Sequence, residues 1–145
     1  MAPVNAPSLI YRHRLPVRLM HWINVLCVLV LLGSGLQIFN AHPALYWGKD
    51  SRPETRVLEV GQRRDGDRLV GVTGVGRHEL RNQGVFGHRR GPDGAEVARA
   101  FPSWATIPDN QWLAMGRLWH FFFAWLFVLN GLAYVLWTVF SGHLH

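Results

Sequence analysis

Residues 19–39 read LMHWINVLCVLVLLGSGLQIF, and residues 118–140 read LWHFFFAWLFVLNGLAYVLWTVF. Neither run contains an Asp, Glu, Lys or Arg. Each is long enough to cross a bilayer, for which about 20 predominantly apolar residues suffice. Each also carries one histidine close to its beginning, His21 and His120. An ionisable side chain inside a spanning helix is costly, so both are functional candidates by default. Neutral imidazole is also a frequent axial ligand of haem iron. A membrane haem protein is therefore the first expectation.

Working outward, the two runs divide the chain. The expected architecture is an all-α membrane protein with two transmembrane helices joined by an extended, partly β-hairpin loop. Its parts are a cytoplasmic segment 1–18, helix 19–39, an extracytoplasmic loop 40–117, helix 118–140 and a tail 141–145. The mean hydropathy of only +0.06 averages two very apolar helices with a long polar stretch, so the composition hides the split. Two helices in lipid bury little against each other, because acyl chains already solvate apolar side chains. Such a hairpin needs partners.

Charge excludes one function class. A net charge of +6 invites a nucleic-acid reading, but the basic residues are dispersed. Arg12, Arg14 and Arg18 precede the first run, and the remaining 12 lie between Lys49 and Arg117 together with all 9 acidic residues. That interval has a net charge of only +3 and no basic run longer than two. No nucleic-acid partner is expected. The short, acid-free, basic N-terminal segment favours a cytoplasmic N-terminus, with the long connection outside. A cleaved signal peptide is the rival for the first run. Its charge-free stretch exceeds the usual length of about 7–15 residues, and Gln37-Ile38-Phe39-Asn40-Ala41 is a poor cleavage site. Cys27 has no possible disulfide partner, being the only cysteine, and reads as a small packing residue.

On a helical wheel, Asn24, Val28, Leu32 and Gly35 fall near the His21 line, and Ala124, Phe127, Gly131, Tyr134 and Thr138 near the His120 line. Each face thus combines a histidine with a glycine, Gly35 and Gly131, where a helix or a flat macrocycle could approach the backbone closely. The cluster Gly33-Ser34-Gly35 supports either use. Antiparallel helices place His21 and His120 about 12–24 Å apart in depth. Two imidazoles on one metal need nitrogens only about 4 Å apart. They cannot share an iron. His13, His143 and His145 read as solvated flanking residues, no residue of the chain is placed to complete the His120 site, and second ligands are expected from other helices.

The segments Arg14-Leu15-Pro16-Val17-Arg18-Leu19-Met20-His21-Trp22 and Gly116-Arg117-Leu118-Trp119-His120 resemble the first two helices of the bacterial cytochrome b561/nickel–iron hydrogenase cytochrome b family. The resemblance covers both helices, somewhat under half of the chain. It implies a four-helix bundle with two b haems, one bound by His21 and the other by His120, each with a second histidine from the fourth helix. Helices three and four are missing here, so the resemblance implies a second polypeptide or a missing half that supplies them. It further implies electron transfer between the quinone pool and a molybdopterin oxidoreductase, a hydrogenase or a c-type cytochrome, with this chain acting as a subunit.

The connecting segment carries turn signals at Asp65-Gly66, Pro92-Asp93-Gly94 and Ile107-Pro108-Asp109-Asn110. Short strands are expected at Arg56–Val60 and Arg68–Val75, and a second hairpin around Pro92–Gly94 leading into Val97–Phe101. The glycines of Gly71–Gly76 do not match a phosphate loop, since no Gly-Lys-Ser/Thr follows. His78 and His88 have no cysteine or carboxylate at ligand spacing. The segment reads as a docking surface for a redox partner or as a cover for the helix ends. Trp22, Trp47, Trp104, Trp112 and Trp119 suit an interfacial belt facing membrane lipid. Two other classes are weighed: a non-haem membrane anchor or assembly subunit, and a transporter fragment, for which the mid-spans offer chiefly Asn24, Asn130 and Tyr134.

Overall fold

The computed structural model describes residues 15–82, 86–90, 94, 96–110 and 112–141. Arg12, His13 and Arg14, the turn residues Pro92 and Asp93, and His143 and His145 lie outside them. Two long helices flank a β-structured segment. Helix α1 runs Leu15–Phe39 and α2 runs Leu113–Phe140. Both start upstream of their charge-free runs, so Arg18 and Arg117 fall in early helical turns. Pro16 is tolerated in the first turn of α1, where its missing N–H would have no intrahelical partner. Pro43 follows shortly after the end of that helix.

The expectation of an all-α protein is overturned by two antiparallel sheets. Strands β1 (Ala44–Tyr46), β2 (Arg56–Asp65), β3 (Arg68–Val75) and β4 (His78–Asn82) form a four-stranded sheet in that order. Strands β5 (Gly87–Arg90) and β6 (Glu96–Arg99) form a second, two-stranded sheet. The physical cause lies in the turns and glycines of the polar insert. Strands β2 and β3 pair through a two-residue turn, Asp65 opposite Arg68, with Gly66 at φ 62°. Strands β3 and β4 turn at Gly76, φ 58°, with Val75 opposite His78. A positive φ at the first turn position is what a tight hairpin requires, and glycine adopts it without a Cβ penalty.

The two sheets meet backbone to backbone. A Cβ on Gly71 would fall on the Phe86 carbonyl, and a Cβ on Gly87 on the Gly61 carbonyl. The glycine-rich run therefore serves close packing of strands and a turn. Exposed ion pairs, Arg63 with Glu79 at 2.7 Å and Arg81 with Asp65 at 3.0 Å, reach across β3 from β2 to β4.

Residues 99–110 fold back onto the C-terminal end of α1. The Phe101 ring packs on Phe39 and Phe86, and its backbone N–H donates to Asn40 Oδ1 at 2.8 Å. Arg99 Nη2 donates to Thr106 Oγ1 and to the Asp109 carbonyl, both at 2.6 Å. Ile107 then inserts at the helix pair: its N–H donates to the Gly33 carbonyl at 3.1 Å. Its side chain occupies the space that a Cβ on Gly33 would need.

Between the helices the core is small. Cys27, Val30 and Phe123 are buried, with Leu31, Ile107 and Leu126 packed beside them. The outer faces are the opposite: Leu19, Leu26, Leu29 and Leu32 of α1, and Phe121, Phe122, Trp125 and Leu129 of α2, are each more than half exposed. A continuous apolar surface of this kind marks contact with lipid or with further helices. Both helices are long and apolar enough to cross a membrane.

Candidate functional site

Two polar contacts fix the register of α1 on α2. Ser34 Oγ lies 3.0 Å from His120 Nδ1. Ten residues earlier on α1 and ten later on α2, Asn130 Nδ2 donates to Asn24 Oδ1 at 2.8 Å and to the Met20 carbonyl at 2.7 Å. The helices are thus antiparallel. The contacts stand about 15 Å apart along the axis at 1.5 Å per residue.

These contacts also separate the two histidines. His120 is level with Ser34, and His21 stands thirteen residues before Ser34 on α1. The axial offset is roughly 20 Å. Two imidazoles on a single metal would need their nitrogens about 4 Å apart. His21 and His120 therefore belong to two sites.

The His21 site is open. His21 is exposed, with the Trp22 ring edge-on at 5.8 Å between centroids. It lines a cleft of about 490 Å³ with Val17, Arg18, Met20, Trp22, Asn24 and Tyr134. That volume is in the range that binds cofactor-sized molecules. Asn130 is buried just beside it, its amide spent on α1. This bond joins the helices without consuming the histidine.

The His120 site is closed on one side. Ser34 is fully buried and its hydroxyl lies 2.7 Å from the Val30 carbonyl. The adjacent residues bear on the same place. Gly35 leaves open the flank of the ring, where a Cβ would stand 3.7 Å from His120 Cε1. Gly33 takes the inserted Ile107. Beyond, Gln37 is buried and its Nε2 donates to the Asn110 carbonyl at 2.6 Å, while Gly116 of α2 admits the Gln37 side chain.

The residues named from sequence are thus distributed between two ends. Gly35, aligned with His21 on the wheel, is brought to His120 by the partner helix. Gly131 is not brought to either ring: a Cβ there would meet nothing within 4 Å, and its neighbour Asn130 contacts the turn of α1 that holds His21. Sequence reasoning missed Ser34 as a partner of His120, although the Gly33-Ser34-Gly35 cluster was its only available signal. It also missed that Asn24 and Asn130 bond each other. Among the described residues no group of three or more His, Cys, Asp and Glu could hold a metal ion by itself.

The donor chemistry fits haem. Each site presents a single imidazole, the ligand type of b-type iron, on an apolar helix, with a cleft or a side-chain-free flank next to it. In agreement, the family model for prokaryotic cytochrome b561 matches residues 12–144. No match was found among curated proteins or among solved structures. The chain belongs to the prokaryotic cytochrome b561 family, and its place is in electron transfer by membrane b-type cytochromes.

Proposed function

We propose that this cytochrome b561 family member carries electrons across the bacterial inner membrane between the quinone pool and an extracytoplasmic redox partner. Two b haems would be held, one by His21 and one by His120. The observation that carries this reading is the offset of roughly 20 Å between the two imidazoles, fixed by the Ser34–His120 and Asn24–Asn130 contacts. A single site would need them together. An offset of this size suits one site towards each membrane face, given a hydrocarbon core of about 30 Å. In this reading the N-terminus is cytoplasmic, with His21 nearer that side and His120 nearer the β-structured segment outside.

Haem, when bound, supplies one-electron chemistry at iron. The chain's own residues provide ligation, orientation and a dry surrounding. His21 offers an exposed imidazole at an open cleft, with Asn130 holding the neighbouring turn of α1 in place. His120 offers an imidazole seated on Ser34, with the 99–110 segment covering the helix end against water. The second ligands are proposed to come from helices of another polypeptide or of a further segment, packed on the exposed apolar faces of α1 and α2. A molybdopterin oxidoreductase, a hydrogenase or a c-type cytochrome fits as the extracytoplasmic partner. The test is a reduced-minus-oxidised spectrum of membranes containing the chain with its assembly partners. A b-type α-band that falls in His21→Ala and in His120→Ala is expected; bands unchanged in both variants would overturn the proposal.

A further inference from the structure

Ser34 has one hydroxyl hydrogen and three neighbours that could take it, two carbonyls and a ring nitrogen. The Val30 carbonyl lies 2.7 Å from its oxygen and the Leu31 carbonyl 3.3 Å, both on α1. A carbonyl oxygen only accepts, so the hydroxyl hydrogen goes to the backbone, the usual back-bond of a helical serine. Were it directed at His120 instead, the Ser34 and Val30 oxygens would face each other at 2.7 Å with no hydrogen between them. With its hydrogen committed, Ser34 Oγ meets His120 Nδ1 at 3.0 Å only as an acceptor. The proton of the neutral imidazole must then sit on Nδ1, and Nε2 keeps a free lone pair.

We infer that Ser34 is a positioning residue for His120, holding its imidazole in the Nδ1–H form so that Nε2 is presented to iron. The inference rests on the reading of His120 as a ligand and adds how the ligand is set. Ligating histidines are generally oriented by an acceptor on their second ring nitrogen, and the loss of such a partner weakens metal binding about 10–100-fold. Here the acceptor is supplied by the facing helix rather than by a carboxylate. The ring is thereby fixed only when α1 and α2 are packed together. Ser34 is fully buried, so water does not compete for the bond.

The test begins on the full chain, labelled with ¹⁵N at histidine and held in lipid nanodiscs before haem is added, with the His120 signals assigned by comparison with His120→Gln. The wild-type spectrum should show His120 protonated at Nδ1. In Ser34→Ala the ring should revert to the otherwise commoner Nε2–H form. A wild-type ring protonated at Nε2, or a ring unchanged in Ser34→Ala, overturns the inference; the wild-type spectrum decides even if the variant fails to fold. In membranes with bound haem, Ser34→Ala should favour the ferrous state of one haem about tenfold, raising its potential by about 59 mV for one electron. An unmoved potential counts against the inference. His120→Ala separates the two levels: if it keeps every haem, the ligand reading fails, whatever the ¹⁵N spectra show.

Discussion

The two ends of the helix pair solve the same problem in opposite ways. At the His120 end the chain closes over its own work. Ile107 docks on Gly33, Gln37 binds Asn110, and Ser34 seats the imidazole. At the His21 end one buried asparagine joins the helices, and the imidazole faces an open cleft. The difference teaches that the chain can prepare one of its candidate ligands from within, whereas the other waits on surfaces that α1 and α2 leave exposed. A membrane hairpin gains little from apolar contact between its own helices, so polar contacts and an inserted loop have to set its geometry.

The largest effect is expected from the histidines themselves. His120→Ala and His21→Ala should each remove one haem, about half of the b-type α-band, and the double variant should remove all of it. Loss of both haems from either single change would break the comparison, because the two ends would then not be independent. Next comes Gly33→Leu at the closed end, which must displace Ile107. Overpacking of this sort costs about 1–3 kcal/mol. Thermal unfolding in detergent should fall accordingly, and the haem assigned to His120 should loosen while the one at His21 keeps its spectrum.

A smaller loss is expected from Asn130→Leu at the open end. Interhelical hydrogen bonds in membranes average about 0.6 kcal/mol and reach about 1.7. A double-mutant cycle with Asn24→Leu measures this coupling; a value above that range would mean that the open end is as firmly held as the closed one. The smallest change belongs to Arg63→Met, which removes an exposed ion pair with Glu79. About 0.2–1 kcal/mol at low salt, vanishing at high salt, is expected. Haem binding at either end should be untouched.

The helices were legible because lipid imposes a continuous apolar run, which no other feature of this chain imitates. His21 and His120 stand out as candidates for the same reason: polarity inside such a run is conspicuous. The depth offset followed from antiparallel packing alone. What could not be read was anything set by the facing helix. Gly35 shares a wheel position with His21, yet the register delivers it to His120. Ser34 looks like a small packing residue until its neighbour across the interface is known.

The sheets were under-read for a different reason. Strands β2 and β3 showed alternation and a turn signal, but β4 is His78-Glu79-Leu80-Arg81-Asn82, exposed along most of its length. A strand without a buried face leaves no period in the sequence. The backbone crossing at Gly61, Gly71 and Gly87 leaves only missing side chains as its trace, and those resemble any flexible loop. Ile107 was read as part of a turn, and only its docking on Gly33 shows it as one of the residues that join the insert to the helices.

That docking point has a mechanical meaning. The carbonyl that accepts the Ile107 N–H belongs to the peptide unit linking Gly33 to Ser34, and Ser34 is the seat of the imidazole. From the outer strands the linkage runs through Arg99, by way of Thr106 and Asp109, to either side of Ile107. The β-structured segment is thus joined to the His120 ring across a single amide plane of α1.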